Sequence, residues 1–362
     1  MNTILKPILL IYLLCIVKLL FAQTVENKFY FYHPELDYGS ELSFNPLTTF
    51  INGSFDILRN GGHTKDLTKQ YYQTGFINVW DNITDPVNSV EEYGWKQFVR
   101  EEILPMDLDK DESQFIPNYF HHLIGGGMLY VKMAEWYEFH NVPYPKISSA
   151  FTSLFYHYFN EAMENDDWIG NNSDPVADLL IFDPLSILLF SSSNVKRFFS
   201  ETVPFYDWSI QPVYNPTNHH LENAGQQFMV TYKVPYTENF SAFCYYGIYG
   251  IAGLSYHFKE EYNVSFGAGI VVNKLKENQR RKSRYLTPKL DGSIGLFYDR
   301  NRSLLTSLLI SGPKMVNARL NIYPAFVKIG WFRPGMFIGA GEIDHFLIGI
   351  TFAHIPVGIV GG

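Results

Sequence analysis

The sequence predicts an α+β chain: an N-terminal helical domain followed by a C-terminal antiparallel β-barrel of outer-membrane type, with roughly 8–10 strands. Three observations carry this expectation. The apolar period changes from helical to two-residue near Pro204. The chain opens on a short apolar leader. Aromatic residues make up 17% of the chain, with 25 Tyr and 30 Phe, which suits a surface that meets a membrane boundary.

The leader comes first. "MNTILKPILLIYLLCIVKLLFAQ" has Lys6 after a polar start, an apolar run from Ile8 to Val17, and small Ala22 before a cut. Residues 1–22 therefore read as a signal peptide, and export places the mature chain in the cell envelope. Cys15 leaves with the leader, and Leu14 stands where a lipoprotein signal needs a small residue. The lone remaining cysteine, Cys244, cannot staple the fold, so stability must come from packing or from a membrane. Losing Lys6 and Lys18 moves the formal net charge from −8 to −10. That charge argues against a nucleic-acid partner, whose phosphates need a basic surface.

After the leader, about 340 residues are enough for two ordinary domains, expected at 23–203 and 204–362. No run of eighteen apolar residues survives. "VADLLIFDPLSILLF" is broken by Asp183-Pro184, and Tyr119 to Phe139 holds Lys132, Glu135 and three glycines. A helical inner-membrane protein is thereby disfavoured.

From Asn45 to Glu201 the pattern is mainly helical. "NPLTTFINGSFDILRNGG" predicts a helix stopped by Gly61-Gly62, and further helices fall near 64–80, 88–103, 115–140, 146–164 and 175–198. "DNITDP", "MDLDKDE" and "NVPYP" read as loops between them.

Past Pro204 the residues alternate. Val264, Phe266, Ala268 and Ile270 interleave with Ser265, Gly267 and Gly269. Phe346, Ile348, Ile350 and Phe352 share one face, with Gly349 and Thr351 on the other. "FMVTYKV" and "ARLNIYP" repeat the device. Most such segments approach the ~9–11 residues a tilted strand needs to cross a bilayer. A closed barrel satisfies every backbone hydrogen bond in lipid; a soluble sandwich would also alternate and stays open as the rival. "KLKENQRRKSR" is expected to form an exposed loop touching lipopolysaccharide phosphates, with outer-membrane lipid as the main partner.

Residues 115 to 200 also carry a resemblance. "NYFHHLIGGGMLY", a following helix with an acid, "DPVADLLIFDPLSILLF" and then strands are similar to an uncharacterised family of bacterial outer-membrane proteins. That family pairs a helical segment with a C-terminal barrel and has His-Pro where this chain has His121-His122. The resemblance implies location and architecture rather than a reaction. A weaker likeness links the same helices to the VanZ-like membrane proteins.

Candidate chemistry gathers on "SSAFTSLFYHYFNEAMEN". Ser153, His157 and Glu161 recur every fourth residue and so share a helix face. Buried, each polar group needs a partner. The preceding helix offers Asn118, His122 and Gly126 on one strip and His121 on the next, while Gly125, Gly126 and Gly127 allow close backbone approach. Asp174 and Asp183, each before a proline, read as helix caps. Asp178 has no capping duty and is expected to face a buried partner. His122 (or His121), His157, Glu161 and Asp178 thus form an expected cluster able to hold Zn²⁺ or another divalent metal, or to act as acid and base. A fully hydrogen-bonded structural network is the alternative.

Other features are weaker. Asp107, Asp109 and Asp111 have Ca²⁺-loop spacing, but Glu112 replaces the required glycine and Asn118 the final glutamate. His219-His220 falls in a strand connection. No Gly-x-Ser-x-Gly element supports a nucleophile-elbow esterase. The expected function is an envelope protein with a helical plug or cap, structural or handling a lipid or small solute. Its rivals are an envelope hydrolase using His157, Glu161 and Asp178, a passive channel, and a soluble periplasmic binding protein.

Overall fold

The computed structural model describes residues 29–59, 64–105, 116–259, 261–280, 283–312, 316–330, 332–341 and 346–362. The leader, the Gly61-Gly62 stop and the stretch with Asp107, Asp109, Asp111 and Glu112 lie outside the described residues.

The helical region begins with a turn, α1 (Gly39–Ser43), and α2 (Pro46–Phe55). Asn45 caps α2 by accepting from the Thr48 amide, and Pro46 takes the first position, where no N–H is needed. A 3-10 turn (Asp56–Arg59) ends it. Then come α3 (Tyr72–Thr84), α4 (Pro86–Tyr93), α5 (Trp95–Phe98) and a π-turn over Val99–Ile103.

The expected helices over 115–140 and 175–198 are not single rods. Ile116–Gly126 winds as a π-helix before α6 (Gly127–Phe139). After α7 (Pro145–Asn165), α8 (Asp174–Ala177) passes through a π-turn, Asp178–Phe182, into α9 (Asp183–Phe190) and α10 (Ser193–Arg197). A π-turn bonds residue i to i+5, so it changes which side chains stack. No single described helix is long and apolar enough to cross a membrane.

The glycine run does what its composition suggests. A Cβ on Gly127 would lie 2.3 Å from the Phe190 ring, and one on Gly125 would lie 2.6 Å from Phe228. Only hydrogen at these positions lets this helix settle against α9 and against the sheet.

The sheet strands are β1 (Asn171–Asn172), β2 (Phe205–Asp207), β3 (Val213–Asn215), β4 (His220–Glu222), β5 (Gln227–Lys233), β6 (Phe240–Gly247) and β7 (Tyr249–Lys259). They continue as β8 (Tyr262–Arg280), β9 (Ser283–Arg300), β10 (Ser303–Ser311), β11 (Ala318–Ile322), β12 (Pro334–Ala340), β13 (Phe346–Phe352) and β14 (Ile355–Gly361). From β5 to β14 each strand pairs antiparallel with the next. The fourteen strands exceed the expected range because four short ones, β1, β2, β3 and β4, join the sheet outside this run.

The pairing path is not the expected closed ring. It ends at β2 on one side and β4 on the other, and β3 joins β14 in parallel. β2 and β3 are, however, parts of one stretch. Its first half pairs with β5 and continues through Trp208 N to Gln227 O and Ile210 N to Gly225 O; its second half pairs with β14. The described part of the basic run "KLKENQRRKSR", 274–280 and 283–284, is strand rather than loop, and 281–282 lie outside the described residues. It extends the β8–β9 hairpin, whose backbone reaches β1 at Asn171 and Asn172.

Register sorts the side chains by chemistry. Ala242, Leu254, Phe266, Leu296, Leu308, Leu320, Ile338 and Ile348 form one row across eight strands. The next row reads Ser241, Ser255, Ser265, Phe297, Ser307, Asn321, Phe337 and Gly349. Leu254 and Phe266 are 55% and 58% exposed, whereas Ser255, Ser265, Ser307 and Asn321 are buried. The aliphatic face therefore points outward and the small polar face inward. Phe243, Tyr245, Phe297 and Tyr323 fill the inner side.

Helices and sheet share a core. Met128, Leu129 and Tyr156 pack in one cluster with Phe205, Phe228 and Tyr246. Buried Lys132 on α6 sits 2.6 Å from Glu41 of α1 and 3.7 Å from Asp207 of β2, tying three elements together. Glu135, one turn on, accepts the backbone N–H groups of Tyr30, Phe31 and Tyr32 and so anchors the start of the described chain.

Candidate metal centre

Three segments converge on one buried spot: the π-helix at 116–126, α7, and the α8–α9 junction. The inward face of α7 carries Ser153, His157 and Glu161, all buried, while Phe151 and Phe155 point outward. Gly126 makes room for the imidazole, since a Cβ there would lie 3.3 Å from His157 Cε1.

His122 is the hub. Its Nε2 lies 3.3 Å from Asp178 Oδ2 and its Nδ1 lies 3.1 Å from Asp183 Oδ1. The other oxygen of Asp183 is 2.7 Å from His157 Nδ1, and the two imidazole rings sit 4.7 Å apart. Two three-residue sets result, His122–His157–Asp183 and His122–Glu161–Asp178, each with donor atoms within 4.8 Å of one another. Sequence reasoning expected His122, His157, Glu161 and Asp178 around one point; His122 instead stands between two.

The alternative between the adjacent histidines resolves to His122. His121 points to the sheet, with Nε2 3.2 Å from Gln226 Oε1 and its ring edge-on to Phe228. Asn118 also leaves the expected strip. It donates to the Glu102 carbonyl at 2.9 Å, because π-winding rotates it away from His122. Ser153 is buried one turn before His157, and its hydroxyl has no hydrogen-bond partner among the described residues.

Asp183 is the residue that sequence reasoning misassigned. Ser173 and Phe182, rather than Asp174 and Asp183, hold the N-cap positions of α8 and α9. The five-residue turn from Asp178 to Asp183 carries both carboxylates onto the histidine side. A five-residue interval between two acids in an apolar helix was the available signal, and Asp-Pro capping statistics outweighed it.

Charge follows geometry. Burial opposes protonation of His122, yet the Asp178 and Asp183 carboxylates outweigh it and raise its pKa to about 10. Burial lowers His157, so its imidazole stays neutral more readily despite Asp183. Burial would raise Asp183, but His157 and His122 together hold its carboxyl below the usual range. On the far side, burial pushes up both Glu161 and Asp178, each further raised by Asp174, and the pair shares a hydrogen bond.

These residues fit a divalent cation. Donors of a tetrahedral zinc site, each about 2.0–2.2 Å from the ion, lie roughly 3.3 Å from one another, close to the separations around His122. Both ring nitrogens of His157, Asp183 Oδ2 and Asp178 Oδ1 are buried without an aligned hydrogen-bond partner among the described residues. His157 Nδ1 and Asp183 Oδ2 approach closely yet do not align as donor and acceptor, as expected of two groups directed at a common third point. Left bare, such atoms would each cost on the order of 1–3 kcal/mol. The other sequence candidates lie elsewhere: His219 bonds Tyr214, and His220 begins β4 beside Glu222.

The fold and centre define the class: a helical region with a buried histidine–carboxylate centre, packed on a large, mainly antiparallel sheet whose outer face is apolar. Comparison with protein-family models, with curated proteins and with solved structures finds no match to this chain.

Proposed function

We propose that this chain is a membrane-embedded barrel of the cell envelope, capped by its helical region, that handles a lipid or small solute. The direction of the sheet's side chains carries the reading. Phe266, Ile270, Ile294, Leu296, Ile348 and Ile350 are all exposed, on the face a water-soluble sheet would make polar. The row from Ala242 to Ile348 holds no charged side chain. This is the pattern that lipid selects. Ring closure is supported by the 205–215 stretch, which bonds to β5 and to β14 and so links both flanks of the ten-strand run. Aromatic side chains filling the interior favour an anchor and cap over an open channel. The leader and the family resemblance support export to the outer membrane.

Cell fractionation with a heat-modifiability gel tests this. The protein should sediment with outer membranes and migrate faster unheated than boiled. Recovery in the soluble periplasm, running at its mass without heating, would sink the reading.

A second reading rests on the centre itself: a metal-dependent envelope hydrolase acting on a lipid or related ester. Its observation is the 12% exposure of the His122 side chain, the most open edge of an otherwise closed site. A bound divalent ion would supply Lewis acidity. The chain's part would be to orient both imidazoles through Asp183 and to hold a proton between Glu161 and Asp178. Elemental analysis of the purified protein should find a divalent metal that Asp183→Asn loses. Metal-free protein with unaltered stability in His157→Ala would remove the centre altogether.

A further inference from the structure

The interior of the sheet carries two arginines that no carboxylate among the described residues pairs. Arg59 ends the 3-10 turn after α2, and Arg319 lies on the inward face of β11; they are 8% and 6% exposed. Arg59 donates Nη1 to the Ala224 carbonyl at 3.2 Å and Nη2 to the Tyr249 hydroxyl at 3.3 Å, leaving Nε without a partner. Arg319 spreads over the Phe337 ring, 6.0 Å from its centroid, and leaves Nη1 without a partner.

Both reach the same place. Asn223 Nδ2 bonds Asn321 Oδ1 at 2.6 Å. Ala224, which holds Arg59, is the next residue in the chain. Arg319 is the next inward position on β11, a step of about 7 Å along a strand. Tyr245 adds a buried hydroxyl without a partner, its ring 6.4 Å from that of Tyr249. The carboxylate beside Asn223 is Glu222, already bound to Lys65 at 2.8 Å. After burial, the Arg319 charge is the largest influence lowering Arg59, to about 10.

Buried Asp56 feels the Arg59 charge but is bonded to Asn160 at 2.8 Å, and Lys65 adds positive charge within range of both arginines, so positive charge stays in excess here. Like charges taken out of water with too little counter-charge are strongly unfavourable. We propose that these buried groups bind a small tetrahedral oxyanion of the phosphate or sulfate class, held by Arg59 Nε and Arg319 Nη1 with the Tyr245 hydroxyl as a third donor. The guanidinium fork matches such oxygens better than an ammonium does. Rings of arginine serve the same purpose in anion-conducting pores. The donors of the site, Arg59, Arg319 and Tyr245, belong neither to the exposed apolar row nor to the histidine centre.

Full-length protein titrated with sodium phosphate at constant ionic strength, with chloride as control, tests the site by calorimetry and melting. Saturable binding near one per chain and a rising melting temperature are expected. Arg59→Met and Arg319→Met should each weaken binding by at least about ten-fold, the usual consequence of truncating a buried charged contact. Arg333→Met, removing a surface pair with Asp37 at 2.7 Å, should leave it unchanged. If a methionine variant fails to fold, Arg319→Lys, which keeps the charge but not the fork, should show the same loss. No saturable phosphate or sulfate binding by the wild type, or wild-type affinity in Arg319→Lys and Arg59→Met alike, overturns the proposal.

Discussion

The helical region and the sheet use the same residues in opposite directions. Around α6 the apolar side chains Met128, Leu129 and Met133 are buried, and the charged Lys132 and Glu135 are buried with partners. On β8 and β9 the apolar side chains Phe266, Ile270 and Leu296 face outward, and Ser265, Ser293 and Phe297 are buried inside. Helix α7 stands between the two styles. It turns Ser153, His157 and Glu161 inward and leaves Phe151 and Phe155 outside. The difference teaches that burying a polar group is tolerable only where its partners converge. In the sheet the inner polar row is small and finds bonds between neighbours, as Ser255 does with Ser265 at 2.6 Å. At the helical centre the inner polar groups His122, His157, Asp178 and Asp183 are titratable and lean on one another.

The comparison can be broken most forcefully at Asp183. Asp183→Ala leaves His122 and His157 without the carboxylate they share and should cost about 3–5 kcal/mol, as removing one partner of a buried ion pair does. Chemical unfolding checks it, and the loss should shrink to well under half if the centre is an ordinary solvated cluster. On the other side, Leu296→Arg places a charge in the middle of the outer aliphatic row. In a bilayer it should cost about 2–4 kcal/mol, measured by unfolding from vesicles. A neutral result would mean the face meets water.

Packing between the two regions is probed by Gly127→Ala. The new methyl would lie 2.3 Å from Phe190, so the variant should lose about 1–3 kcal/mol, read as a lower melting temperature. The smallest effect is a slope. Burial pushes Glu135 up to about 7, with the backbone amides of Tyr30, Phe31 and Tyr32 opposing. A raised carboxyl means the folded chain takes up a proton between its unfolded value of about 4.5 and 7. Its contribution therefore falls as pH rises through that window, by at most about 1.4 kcal/mol per pH unit. Glu135→Gln should flatten this part of the stability–pH curve, which melting at a series of pH values would show.

Much of the fold was legible in the chain. The change of period near Pro204, the alternation in "NVSFGAGIVV" and the helix expected over 146–164, found at Pro145–Asn165, all follow from spacing that local geometry imposes. So did part of the centre: a helix that turns His157 and Glu161 to one side must bury or expose them together. The choice of His122 over His121 was not legible, nor was the role of Asp183. Both depend on π-turns, and a π-turn forms only because neighbouring segments hold it open; no propensity in "DPVADLLIFDP" announces one.

Side-chain period and chain direction were thus decided by the sequence alone, because they are properties of each residue and its next few neighbours. Which face of a strand looks outward, which of two histidines meets the acids, and whether β5 and β14 share one intervening stretch were decided only in the tertiary structure. Each of these rests on contacts between residues tens to hundreds of positions apart, where no local preference reaches.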